Sequence, residues 1–225
     1  MTIRKINLDA DKARVRQLYK FENELYAEGY NLIAGVDEAG RGSLIGSVTI
    51  GAVILPPNFY LERLDDSKKL SPAVREKLYY EIISNAVSVA CVAVSIEEID
   101  TLNTYRSTLK GMQRAVKCLT TQPDFVLVDA MKINFGEKIK SRSIIHGDAL
   151  SASIAAASII AKVTRDRLAQ DWAKDFPQYG FEKNCGYGTK EHLAAIEKFG
   201  VTPLHRKTFE PVKSLLRKNV QLELF

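Results

Sequence analysis

Cysteine is scarce in this chain, and its three copies, Cys91, Cys118 and Cys185, form no CxxC pair. That usage fits a reducing cytosol and argues against a thiolate zinc site. Long apolar runs are also missing. The greasiest segment, Ala152–Ala161, is rich in small residues and runs straight into Lys162, so no charge-free stretch reaches membrane-spanning length. Met1–Arg14 is charged rather than apolar, and no signal peptide is expected there. There is no internal repeat and no low-complexity linker. No nucleophile–base pair of the serine or cysteine hydrolase kind can be read.

What is present suits a globular domain. At 225 residues and 46% hydrophobic content, the chain can bury a sizeable core in one domain, with room for an appendage. The net charge is +5, and much of it lies late. Between residues 182 and 218, eight lysines and arginines face only Glu182, Glu191, Glu197 and Glu210. A basic face of this kind suits a nucleic-acid backbone, though it serves equally as a solvated surface.

Periodicity and punctuation give the elements. Asp9–Glu28 reads as one polar helix with a narrow apolar stripe, stopped by Gly29. Asn31–Val36 and Ser47–Leu55 read as an antiparallel hairpin, and Ala86–Val94 as a third strand. Ser71 and Pro72 open a helix to about Asn85. Glu97–Asp100 and Asn103–Leu119 are helical, and Phe125–Val128 is a short buried strand. Ser143–His146 is a candidate edge strand. A long helix, Ser151–Lys174, has a first half of alanine and serine that lets a sheet approach closely. Pro177–Thr189 is an aromatic, glycine-punctuated loop. Lys190–Phe199 and Pro211–Lys218 are the last helices. Three strands followed by alternating helix and strand predict an α/β fold, a mixed sheet flanked by helices.

One stretch organises the rest: Ile33-Ala34-Gly35-Val36-Asp37-Glu38-Ala39-Gly40-Arg41-Gly42. An apolar strand ends in two adjacent carboxylates, which repel each other and are poor strand formers. A Gly-Arg-Gly turn follows, which lets backbone N–H groups approach a ligand and adds a forked phosphate donor. Taken alone, such a pair could be an exposed, solvated turn. Asp129 ends the apolar run Phe125–Val128 in the same way, and strand ends are where open α/β sheets place their sites. Asp148 precedes the long helix and could be either its N-cap or a fourth ligand. A cluster of hard oxygen donors selects Mg²⁺ or Mn²⁺ over zinc. Two such ions roughly 3.5–4 Å apart would support in-line phosphodiester cleavage. Asp166, four residues after Lys162 on the long helix, reads as an ion pair rather than a fifth ligand. His192 and His205 have no acid at metal spacing and read as packing or phosphate contacts.

The motifs resemble those of bacterial ribonuclease HII. DEAGRG (Asp37–Gly42), DSKKLS (Asp66–Ser71), LVD (Leu127–Asp129), GDA and SIAAASIIAKVTRD within Gly147–Asp166, GYGTKEH (Gly186–His192) and HRKTFEPV (His205–Val212) occur in family order. The resemblance implies an endonuclease that cuts the RNA strand of RNA–DNA hybrids and nicks 5′ of a single ribonucleotide in duplex DNA, leaving 5′-phosphate and 3′-hydroxyl. It implies a ribonuclease H-like core at residues 30–176 and a helical C-terminal substrate-binding part at 177–218. An N-terminal helical extension (1–29) and a flexible tail (219–225) would flank them, in a chain that works as a monomer. It places the catalytic, metal-binding acids at Asp37, Glu38, Asp129 and Asp148. Gly40, Arg41 and Gly42 would contact the 2′-hydroxyl and phosphates at the RNA–DNA junction, the 2′-OH being what distinguishes RNA there. Ser67 and Lys68 would grip a nearby phosphate, and Tyr187 would stack on the deoxyribose after the ribonucleotide. Without the resemblance, Tyr187 reads as a loop aromatic packed on the body.

Some positions depart from the family pattern. Ser43-Leu44-Ile45-Gly46-Ser47 replaces a common Pro-Leu-Ala-Gly-Pro. His146, Leu150 and Cys185 stand where lysines are common, and Ala130 where glycine is. No carboxylate is lost, so activity should persist with altered substrate grip and salt sensitivity. The terminal Gln221-Leu222-Glu223-Leu224-Phe225 resembles the peptide by which bacterial replication proteins dock on the sliding clamp. Its apolar anchors would sit on a flexible tail, or else on a helix end packed against its own body. Two other functions fit less of the pattern: a non-catalytic hybrid-binding module, or another nuclease of the same fold.

Overall fold

The computed structural model describes residues 6–222. Its centre is a five-stranded mixed sheet in the order β3-β2-β1-β4-β5. β1 (Ile33–Ala39) pairs antiparallel with β2 (Val48–Ile54), which pairs antiparallel with β3 (Ser88–Val94). On its other side β1 runs parallel to β4 (Phe125–Asp129), and β4 parallel to β5 (Lys140–Ile144). β2 is buried along its whole length, in keeping with a composition of valine, isoleucine and alanine broken only by Thr49 and Gly51. The edge strand lies at 140–144, upstream of the expected Ser143–His146. Pairing with β4 sets its register, and little in its own polar sequence does so.

The N-terminal segment is two helices rather than one. α1 (Leu8–Leu18) and α2 (Lys20–Ala27) meet at Tyr19, whose buried side chain donates to the Phe59 carbonyl at 2.8 Å. α3 (Pro72–Asn85) starts as expected, with Ser71 Oγ accepting from Val74 N–H. α4 (Ile96–Leu102) opens on a capping box between Ser95 and Glu98. α5 (Thr104–Lys117) lays Met112, Ala115 and Val116 on one face of the sheet, against Val36, Ile50, Ala52 and Val126.

The other face carries the long helix α6 (Ala152–Asp175) with α1 and α3. Its alanine and serine half sits almost on the sheet backbone. A Cβ on Gly35 would lie 2.0 Å from the Ser153 carbonyl carbon, and one on Gly51 would lie 2.2 Å from the Ala157 oxygen. Small residues on both surfaces are thus required by the spacing. The expected aromatic loop contains a 3₁₀ turn (Pro177–Tyr179) and a single-turn helix α7 (Phe181–Asn184). α8 (Lys190–Phe199) and α9 (Val212–Leu222) complete the chain, with Leu44, Ile45, Tyr179, Phe181 and Ile196 forming the core there. α9 continues past the expected Lys218, so Gln221 and Leu222 fall within the helix; Leu224 and Phe225 lie outside the described residues. Among the described residues no helix is long and apolar enough to cross a membrane.

One buried acid ties α2 to the start of α6. Glu22 Oε1 accepts from Ser151 Oγ at 2.6 Å and from Ser153 N–H at 2.9 Å. Ser151 is itself the N-cap of α6, accepting from Ile154 N–H. A carboxylate suits a helix N-terminus, but burial outweighs these bonds and raises the Glu22 pKa. A raised folded-state pKa favours the protonated form. Its stabilisation is therefore full below the unfolded pKa and is lost as pH rises through the folded one. Glu22→Gln keeps the acceptor and removes the charge. Equilibrium unfolding across pH should give a flatter curve than wild type, with a gain of about 1 kcal/mol at neutral pH. Glu22→Ala, which strands two donors, should lose about 2–3 kcal/mol at every pH. A Gln variant that follows the wild-type pH curve would show that Glu22 is not the group responsible.

Candidate active site

The ends of β1 and β4 bring two acids together. Val36 pairs with Val128 in the parallel ladder, so the side chains of the next residues, Asp37 and Asp129, fall side by side on the α6 face, while β1 runs past the expected Val36 to Ala39. Asp37 is buried, and its Oδ1 accepts from the Glu38 N–H at 2.7 Å. A 3₁₀ turn at Gly147–Ala149 then delivers Asp148. That turn is fixed to β4 by the Gly147 N–H, which donates to Asp129 Oδ1 at 2.7 Å. Asp148 is therefore not the cap of α6, a position Ser151 fills.

Crowding of like charge marks the cluster. Burial, then Glu38, Asp129 and Asp148, push Asp37 well above the ordinary carboxylate range. Burial also raises Glu38, against the pull of Arg41, and raises Asp129, with Asp148 adding to the shift. Two cations partly answer this charge. Arg41 Nη1 reaches Glu38 Oε1 at 2.9 Å, and Lys68 Nζ reaches Asp148 Oδ2 at 2.9 Å. Burial works against the Lys68 charge, but Asp148 outweighs it and raises the lysine's pKa. Ser67 beside it is buried, its carbonyl accepting from Arg75.

Next to the acids, two loops interlock. The Arg206 guanidinium, fully buried, donates to the carbonyls of Gly40 (2.8 Å), Arg41 (2.9 Å) and Gly46 (2.9 Å). Arg165 donates to Ser43 Oγ at 3.0 Å and to the Ile45 carbonyl at 2.9 Å, and stacks on Trp172 at 4.5 Å. Among the described residues neither arginine has a carboxylate within ion-pairing distance. Burial, followed by repulsion from Arg165, pulls Arg206 down to about 9. With its carbonyls held inward, the Gly40–Gly46 turn leaves the Arg41 and Gly42 N–H groups without an acceptor among the described residues. The loop carrying Tyr187 closes over this turn. Leu44 N–H donates to the Gly186 carbonyl at 2.9 Å, and a Cβ on Gly42 would lie 3.9 Å from Tyr187 Cε1. Gly186 has φ +76°, and a Cβ there would strike Ile45 at 2.2 Å. Tyr187 itself is 42% exposed.

The sequence model of the family described as Ribonuclease HII matches residues 34–212, a span that contains every one of these groups. The chain belongs to the ribonuclease HII family. A ribonuclease HII of Bacillus cytotoxicus is 48% identical over 216 residues, 96% of this chain and 83% of that one. Among solved structures, the ribonuclease H2 of Pyrococcus horikoshii OT3 superposes with a TM-score of 0.71 at 27% identity. It covers 83% of this chain and 98% of its own. A Bst ribonuclease HIII in complex with Mn²⁺ shares the fold, with a TM-score of 0.60 at 15% identity over 84% and 70% of the two chains.

Ribonuclease HII proteins are divalent-metal enzymes, and the donor set here fits such an ion. The four acids are all hard oxygen donors, and the buried Glu38 Oε2 has no hydrogen-bond partner. Among the described residues no three candidate ligands already stand in ligating geometry. Arg41 holds Glu38 and Lys68 holds Asp148 through the two salt bridges described above.

Several predicted residues are therefore brought together: the four acids with Arg41 and Lys68, and the Gly40–Gly42 turn with Tyr187. Ser67 is not presented to the surface. Asp166 pairs with Lys162 at 2.6 Å, as its spacing implies. Arg165 and Arg206 were not legible as part of the site. Their only sequence signal is membership of two of the family-like motifs, because an arginine read from sequence defaults to the surface.

Proposed function

We propose that this chain is an endoribonuclease that cuts the RNA strand of RNA–DNA hybrids and nicks 5′ of single ribonucleotides in duplex DNA. The observation that carries this reading is the pairing of two features. A four-carboxylate cluster sits near the ends of β1 and β4, and beside it a Gly-rich turn, whose Arg41 and Gly42 N–H groups have no acceptor among the described residues, lies against a part-exposed tyrosine.

Asp37, Glu38, Asp129 and Asp148 would hold Mg²⁺ or Mn²⁺, which when bound would supply activation of a water and charge neutralisation at the scissile phosphate. The chain's own residues do the rest. Arg206 keeps the Gly40–Gly46 carbonyls turned away, so the Arg41 and Gly42 N–H groups face the 2′-hydroxyl and phosphate. Arg41 and Lys68, released from the acids, are free to pair with backbone phosphates. Tyr187 stacks on the deoxyribose that follows the ribonucleotide. The last five residues, with their Gln-Leu-x-Leu-Phe pattern, dock on a sliding clamp through apolar anchors.

The test is cleavage of labelled DNA duplex carrying one ribonucleotide, with Mg²⁺ or Mn²⁺, beside an all-DNA duplex and a continuous hybrid. The expected result is a nick 5′ of the ribonucleotide and no cut in all-DNA. Cutting of the continuous hybrid alone would remove the junction reading and leave the metal site. No cleavage of any substrate with either metal would favour a hybrid-binding module.

A further inference from the structure

Behind Tyr187 lie two histidines, His192 on α8 and His205 before α9, both essentially without solvent exposure. Their four ring nitrogens are all engaged. His192 Nδ1 lies 2.9 Å from the Tyr187 carbonyl, and His192 Nε2 lies 3.3 Å from His205 Nε2. His205 Nδ1 lies 2.9 Å from both the N–H and the hydroxyl of Thr202.

These partners fix where each proton sits. A carbonyl can only accept, so His192 Nδ1 carries a hydrogen and its Nε2 is bare. A backbone N–H can only donate, so His205 Nδ1 is bare and its hydrogen is on Nε2. His205 Nε2–H then donates to His192 Nε2, and one unbroken chain runs from Thr202 through both rings to Tyr187. A further proton would set donor against donor, either between the two rings or against the Thr202 N–H. Burial among Tyr179 and Phe181 also keeps both rings neutral, lowering His192 and taking His205 to about 4.

The chain of bonds spans the two interlocked loops. His205 bridges to Ile45 through its backbone, and the next residue, Arg206, holds the Gly40–Gly46 turn. The far end grips Tyr187, whose carbonyl also accepts from the Thr189 N–H at 2.8 Å. With two donors the peptide plane of Tyr187 is fixed, and with one it can rock about the remaining bond.

We propose that His192 and His205 are positioning residues whose single-tautomer relay sets the height of Tyr187 over Gly42. The relay thereby sets the preference for a single embedded ribonucleotide over a continuous hybrid. This rests on the reading of Tyr187 as the residue that senses the junction.

The experiment compares kcat and KM on the two substrates for wild type, Tyr187→Ala, His192→Phe and His192→Asn, with thermal unfolding of each. Phe keeps the ring and loses the donor; Asn places an amide N–H close to where Nδ1 stood. Relative to wild type, His192→Phe should lower the single-ribonucleotide to hybrid ratio of kcat/KM roughly tenfold, with hybrid kcat unchanged. His192→Asn should recover part of that ratio. Long-range ¹H–¹⁵N NMR of the wild-type protein at neutral pH should show His192 as the Nδ1–H tautomer and His205 as Nε2–H. Equal losses on both substrates, an Asn variant no better than Phe, or the opposite tautomers would overturn the relay. If Tyr187→Ala leaves the ratio intact, the reading of Tyr187 fails and the relay with it. If Tyr187→Ala lowers the ratio and His192→Phe does not, the relay alone fails.

Discussion

Asp37→Asn is expected to abolish cleavage and, in chelator, to raise the melting temperature of the same protein. Both effects come from one environment. Asp37 is buried against Glu38, Asp129 and Asp148, and its pKa is held well above that of a free carboxyl. Holding the carboxylate form therefore costs the folded chain free energy that the unfolded chain does not spend. A raised folded pKa means stability that is present in acid and lost as pH rises through that value. Asn is nearly isosteric, and its Oδ1 can still accept from the Glu38 N–H. Relief of the charge should be worth about 1–2 kcal/mol, or roughly 2–8 °C for a chain of this size. Loss of one anionic ligand should lower kcat by at least about 10³-fold. Melting curves in EDTA from pH 5 to 8, run beside the cleavage assay, check both halves. A variant that melts below wild type at pH 8 would contradict the electrostatic account, and one that still cuts would remove Asp37 from the catalytic set.

Arg206→Met should be the most damaging single change outside the acids. The guanidinium is the shared partner of the Gly40, Arg41 and Gly46 carbonyls, with no carboxylate in the arrangement to compensate. Methionine fills similar volume but leaves the Arg41 and Gly46 carbonyls unpaired, and the Gly40 carbonyl with only the 3.3 Å bond from the Ser43 N–H. A loss of about 3–5 kcal/mol follows, read as a lower midpoint in urea. The turn should also lose its outward N–H orientation, so kcat/KM should fall further than stability alone explains when measured well below the unfolding midpoint. Arg206→Lys should fall between, since one ammonium cannot fork to three carbonyls. An Arg206→Met protein with a wild-type urea midpoint would mean the carbonyls find other partners.

The sequence showed most clearly those features whose cause is local. An apolar run closed by a carboxylate located both Asp37 and Asp129, and strand pairing then placed them side by side. Ser71-Pro72 carried its own capping chemistry, and the alanine–serine half of α6 declared a close approach to the sheet. Lys162 and Asp166 revealed their pairing by helical spacing. Non-local causes left no such trace. The break at Tyr19 depends on a carbonyl forty residues away at Phe59. Burial of Glu22, Arg165 and Arg206 depends on partners supplied by distant loops, and charged side chains carry no local mark of a future interior. The one-directional histidine relay needs both rings placed before either tautomer has meaning.

The bond from Glu22 to Ser151 also bears on how the molecule is made. Its two ends are 129 residues apart in sequence. On a ribosome, α2 emerges long before the helix whose first turn it completes. Until α6 follows, α1 can settle only on the segment after β2, through Phe59, Tyr60 and Leu64, and α2 lacks the helix start that Glu22 meets. The nascent chain can form the β1–β2–β3 meander with α3, α4 and α5 early, and the acid-bearing end of the sheet is completed only once β4, Asp148 and α6 have followed. Incomplete products of synthesis therefore present no assembled acid cluster, and an active nuclease arises only after most of the chain has been translated.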